Sequence, residues 1–84
     1  MPRNAFQARL TRAMERGNLR VADVARWFGR RHSTVRGWVV DGREPAGTAA
    51  DVRALFVQLA GLENLIKSRA LSGRALRARI AEAA

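Results

Sequence analysis

Apolar residues recur at three- and four-residue steps along most of this chain, and no segment keeps the period of two that a half-buried strand needs. The pattern predicts an all-α domain of about five helices. In the first, Asn4 to Arg16, Phe6, Leu10, Ala13 and Met14 share one face. Asn4 can cap its start, and Gly17-Asn18 can close it in the left-handed conformation. Arg9, Arg12 and Arg16 lie on or near the opposite side, either as a solvated face or with one or two of them meeting phosphates. A second, short helix groups Val21, Val24, Ala25 and Phe28 in one stripe and ends at Gly29. Arg20 stands at its N-cap position, a poor choice for that role, while Leu19 can staple against the first turn and Asp23 favours the start through the helix dipole. Trp27 falls to the side of the stripe. Packing within the domain is favoured for it over an exposed subunit contact.

After Gly29, the residues Arg30-Arg31-His32 make a tight reversal, and His32 or Ser33 opens a third helix. Val35, Trp38 and Val39 point inward from it, whereas Ser33, Arg36, Gly37 and Val40 share its outward face. Asp41-Gly42 stops this helix, and Glu44-Pro45 marks a loop. Thr48 and Asp51 form a capping-box start for the fourth helix, whose Val52, Leu55, Phe56, Leu59, Leu62 and Ile66 make the most apolar stripe in the chain. Gly61 is its weak point, since glycine inside a helix costs about 1 kcal/mol against alanine, and two shorter helices meeting there is an open alternative. A second stripe of Ala50, Ala54, Val57, Gly61 and Leu65 fits two roles equally well. It either buries a second side of the helix within the monomer or forms a dimer surface through Ala54, Val57, Gly61 and Leu65. Ser72 caps a last short helix, from Gly73 to about Ala83, with Leu76 and Ile80 apolar; it is read as docking, dimerising or fraying.

Length and charge narrow the function. Eighty-four residues make one domain, 1–84, of the size that buries only roughly 60% of its unfolded surface, so a partner subunit is a natural supplement. The net charge is +9, and fifteen of the sixteen basic residues are arginine, whose planar fork suits phosphates and guanine edges. A polyanionic partner is the first expectation. There is no cysteine, which removes disulfides and thiolate metal sites and fits a reducing interior. No apolar run reaches the roughly 20 residues of a membrane span, and the N-terminal stretch lacks the apolar segment of a secretory signal. A cytoplasmic, nucleoid-associated protein is expected. One histidine, no cysteine, no tyrosine and scattered carboxylates offer neither a catalytic constellation nor a metal site, and no glycine-rich loop has the lysine and spacing of a P-loop. The expectation is a protein that is not an enzyme, with no cofactor, metal or small-molecule ligand.

The segment from Val21 to Val40 resembles the helix-turn-helix of the lambda-repressor-like (Cro/C1, XRE-type) DNA-binding family, on the motif core Val24, Ala25, Phe28, Gly29, Val35 and Trp38. Ala25 is small where the two helices cross, Gly29 makes the turn, and Val35 and Trp38 seat the third helix on the second. The following DGREP also resembles the exit after the recognition helix. The match covers about 25 residues closely, with the motif at about 20–41, and Arg30 and Arg20 depart from the usual apolar turn residue and polar N-cap. The resemblance implies double-stranded DNA as partner, with Arg31, His32, Ser33, Arg36 and Val40 facing the major groove. Gly37 shares that face. Arg36 is the first choice for a bidentate contact with guanine, and Val40 suits a thymine methyl. His32 is read equally as a phosphate ligand or a solvated side chain. Arg20, Arg30, Arg31 and Arg43 suit phosphate contacts that set register. The implied function is a small homodimeric regulator, a repressor acting by promoter occlusion in a phage, prophage or mobile-element setting. A phage or prophage protein-interaction module, a non-specific nucleic-acid binder and, last, a basic amphipathic membrane binder remain as alternatives.

Overall fold

Local chemistry sets the starts of the first and fourth helices and the ends of the first and second. In the computed structural model, which describes residues 3–83, the order is α1 (Ala5–Gly17), α2 (Val21–Phe28), α3 (His32–Val39), α4 (Ala49–Arg69) and α5 (Gly73–Ala83). About three-quarters of the chain is helical, and no strand occurs among the described residues. Asn4 caps α1 by accepting from the Gln7 amide at 2.8 Å. Asn18, at φ 53°, takes the left-handed position after α1, so Gly17 is free to be the last helical residue. Gly29 does the same after α2 at φ 66°. α4 opens on the expected capping box: the Thr48 hydroxyl accepts from the Asp51 amide at 3.1 Å, and the Asp51 carboxylate accepts from the Thr48 amide at 3.0 Å. Those contacts from Thr48 hold the Asp51 carboxyl below its ordinary range, with the charge of Arg30 adding a smaller pull.

The core is shared by all five helices. Phe6, Leu10, Val24, Phe28, Val35, Trp38, Leu55, Leu59, Leu62, Leu76 and Ile80 are buried within it. α4 supplies the long apolar row, and the last helix docks, with Leu76 and Ile80 covered. At its centre, four aromatic rings from four helices meet. Phe6 lies edge-on to Trp38 and to Phe56, each with centroids 5.2 Å apart, and 6.0 Å from Phe28; Phe28 meets Trp38 at 5.6 Å. Such geometries are each worth about 0.5–1.5 kcal/mol beyond the area they bury. The ring of Phe56 is covered from outside by the Arg9 guanidinium, 5.6 Å from its centroid. Arg9 is therefore engaged within the domain, although its side chain keeps 39% of its area exposed. It is ion-paired with Glu63 of α4, which holds its guanidinium above the ordinary arginine range.

α4 runs unbroken through Gly61. A Cβ at that position would stand 3.5 Å from Cζ2 of Trp27, an ordinary contact distance. Trp27 is half-buried, and its indole N–H donates to the Gln58 carbonyl at 2.8 Å, which ties α2 to α4 within the domain. Alanine at Gly61 should consequently fit against the indole while removing the helix cost of glycine. We expect Gly61→Ala to stabilise the fold by about 1 kcal/mol, a rise in Tm of roughly 4–8 °C for a domain of this size. Thermal unfolding followed by circular dichroism checks this, and a fall in Tm would mean that the indole edge is packed too tightly to admit a methyl group.

Candidate nucleic-acid interface

α2 and α3 are short helices of eight residues each, joined by the three residues Gly29, Arg30 and Arg31. The reversal closes on itself through two backbone bonds, from the Gly29 amide to the Arg26 carbonyl at 3.3 Å and from the Arg30 amide to the Ala25 carbonyl at 3.1 Å. Nothing lies within 4 Å of the place a Gly29 Cβ would take. Glycine is thus favoured there by the positive φ and not by crowding. Arg20 precedes α2 without a side-chain cap, as its all-donor guanidinium dictates; instead, the Asp23 carboxylate accepts from the Arg20 amide at 2.9 Å.

The motif-core residues Val24, Ala25, Phe28, Val35 and Trp38 are all buried, so α3 sits on α2 and α1 with one face spent on packing. Its other face is open. Arg31, His32, Ser33, Arg36 and Val40 are exposed, Val40 at 59% of its full area. α3 starts at His32, with Arg31 at the N-cap position and no side-chain cap, and it ends at Val39 with Val40 as C-cap.

Two hydrogen bonds from Gln7 of α1 and its N-cap Asn4 hold the end of α3 and the bend that follows it. The Gln7 amide nitrogen donates to the Val39 carbonyl at 2.9 Å, and that of Asn4 donates to the Gly42 carbonyl at 3.0 Å. Gln7 also accepts from the Arg3 amide at 2.6 Å, so both ends of its buried side chain are satisfied. Sequence reasoning missed this clamp. Its trace was the polar Gln7 beside Phe6 and one turn before Leu10, on the face that otherwise reads as apolar. A polar residue buried on such a face needs a partner, and the freed carbonyls at the end of a short helix supply one.

Gly37 requires a correction. The helical period places it on the outward face of α3, yet it is buried, because the aliphatic stem of Arg43 lies across it. The Arg43 amide donates to the Gly37 carbonyl at 3.1 Å, so the chain folds back on α3 immediately after the Asp41-Gly42 bend. Thr34, not singled out from sequence, is exposed beside that return and lines a shallow cleft with Arg30, Trp38, Arg43, Glu44 and Leu55.

Charge on this side of the molecule is largely uncompensated. Three ion pairs occur among the described residues: Arg9–Glu63, Arg20–Asp23 at 3.8 Å and Arg79–Glu82 at 3.8 Å. Arg30, Arg31, Arg36 and Arg43 are exposed and pair with no carboxylate within 4 Å. Arg20 is exposed too, with only the loose, solvent-screened contact to Asp23. Of the second stripe on α4, Gly61 lies beside Trp27 and Leu65 packs partly on the core, while Ala54 and Val57 stay exposed, Val57 at 66%. No helix among the described residues is long and apolar enough to cross a membrane. Against family models, curated proteins and solved structures, the chain matches none, so the interface rests on its own geometry.

Proposed function

We propose that the chain is a sequence-specific DNA-binding regulator in which α2 and α3 form a helix-turn-helix of the lambda-repressor-like kind. One observation carries this reading. The eight-residue α3 buries Val35 and Trp38 while leaving Ser33, Arg36 and Val40 open to solvent, and the arginines around it pair with no acid. A helix seated in this way and clamped at its end by Gln7 and Asn4 offers a rigid ridge that fits the major groove, which is about 12 Å wide. Arg36 then reads a guanine edge, Val40 meets a thymine methyl, and Arg20, Arg30 and Arg31 fix register on phosphates. Such units act as two-fold pairs on half-sites roughly 34 Å apart. The exposed Ala54 and Val57 of α4 are the surface proposed for pairing. The simplest mechanism is occupancy: a bound homodimer occludes a promoter, in a phage, prophage or mobile-element setting.

Selection of bound duplexes from a random pool, with the mass of the complex determined alongside, tests the proposal. A single motif with two-fold symmetry is expected. Arg36→Ala should lose about 1–3 kcal/mol of discrimination at one base position per half-site and leave the others unchanged. If the wild-type chain binds the selected sequence no more tightly than a scrambled one at about 150 mM salt, where phosphate contacts alone are weakened, sequence-specific regulation is ruled out. Uniform weakening of all sequences by Arg36→Ala would point to a non-specific binder.

A further inference from the structure

We infer that Arg43, from the loop after α3, is a second base-reading residue, delivered onto the recognition face through Gly37; the inference rests on the DNA-reading proposal above. At about 100° per residue, Arg36, Val40, Ser33 and Gly37 fall within an arc of roughly 100° opposite the buried Val35 and Trp38. Gly37 contributes no side chain to that arc, yet it is covered. The three atoms nearest the place its Cβ would take all belong to Arg43: Cδ at 3.3 Å, Nε at 3.9 Å and Cγ at 4.0 Å. The stem of Arg43 thus lies on the outward surface of α3. Its base is fixed by the bond from the Arg43 amide to the Gly37 carbonyl at 3.1 Å. The guanidinium pairs with no carboxylate among the described residues, and the residue as a whole is exposed. A stem resting on the surface proposed to enter the groove puts its fork within reach of base edges, where arginine reads O6 and N7 of guanine. Gly37 makes room for this. An alanine there would press on the stem at 3.3 Å and shift it by a few tenths of an ångström, and a larger side chain would shift it further.

This placement changes the role assigned to Arg43 from sequence, where it was one of several flanking phosphate contacts. It also divides the reading between two arginines, Arg36 from the helix and Arg43 from the return of the chain. The fork geometry of arginine matches O6 and N7 of guanine, and lysine offers only a point charge. The two substitutions Arg43→Ala and Arg43→Lys therefore separate base reading from charge.

Binding-site selection from random duplex DNA with wild type, Arg43→Ala, Arg43→Lys and Gly37→Ala tests the inference, with circular dichroism and melting confirming that each variant is folded. Both Arg43 variants are expected to lose a guanine preference of about 5- to 150-fold at one position of each half-site, distinct from the position lost in Arg36→Ala. Gly37→Ala should weaken the same position, by less than the Arg43 variants do, because its methyl group only shifts the stem. If Arg43→Ala keeps the full motif and lowers binding evenly with a shallower salt dependence, Arg43 is a phosphate contact and the inference is overturned while sequence-specific reading stands. A wild-type chain that selects no motif would instead remove the proposed function itself.

Discussion

Phe6→Ala is expected to cost about 3–5 kcal/mol, the range for deleting a buried aromatic side chain. Phe6 is 2% exposed and is the one ring that touches all three others of the central cluster. Removing it deletes contacts to Phe28 of α2, Trp38 of α3 and Phe56 of α4 at once. Those rings cannot collapse into the space without moving the helices that carry them, so the cavity cost adds to the lost transfer energy. At roughly 0.05–0.15 kcal/mol per residue, a domain of this length has about 4–13 kcal/mol in total. The substitution therefore removes about a quarter of the stability at least. Urea unfolding of the variant, with Arg53→Ala as a comparison on an exposed residue of α4, measures it. The comparison should stay within about 0.5 kcal/mol of wild type. A loss below 1 kcal/mol for Phe6→Ala would show that the cluster is not the centre of the fold.

The helices were legible in the sequence because their determinants are local. Asn4, Gly29, Thr48 and Asp51 act over three or four residues, and each does in the structure what its type and position suggest. The inward faces of α3 and α4 follow from period alone, so Val35, Trp38, Leu55, Leu59 and Leu62 fall where expected. What escaped depends on chain reversal in three dimensions. Arg9 looks like a surface charge until α4 brings Glu63 and Phe56 to it from 54 and 47 residues away. Gly37 looks outward until the bend at Asp41-Gly42 returns Arg43 across it. In the candidate interface, the exposed ridge of α3 was therefore readable, but the side chains that overlie and clamp it were not. Periodicity reports which face of a helix is apolar; it cannot report which distant residue will cover the other.

Gly17 is the strongest instance, and it carries the last expected result. By type it reads as the cap of α1, yet Asn18 takes the left-handed position and Gly17 is buried inside the helix end. Its hydrogen faces α5: a Cβ would stand 2.6 Å from Cδ2 of Leu76, 3.2 Å from Cδ1 of Ile66 and 3.2 Å from Cγ of Leu19. The first of these is closer than carbon atoms approach, so any side chain here must displace the buried end of Leu76 on α5. Gly17→Val is expected to destabilise the fold by about 3 kcal/mol or more, above the usual 1–3 kcal/mol of overpacking because three carbons enter a joint closed on three sides. Leu76→Ala alone should cost about 2–5 kcal/mol by leaving a cavity at the same place. The two changes oppose one another in volume. In the double variant, the valine methyl groups occupy part of the space that Leu76 vacates, so the combined loss should fall short of the sum by about 1–2 kcal/mol. Denaturant unfolding of the four proteins gives this coupling directly. Additivity within about 0.5 kcal/mol would mean that Gly17 and Leu76 do not share the joint, and that the cost of Gly17→Val lies in the backbone of α1 instead.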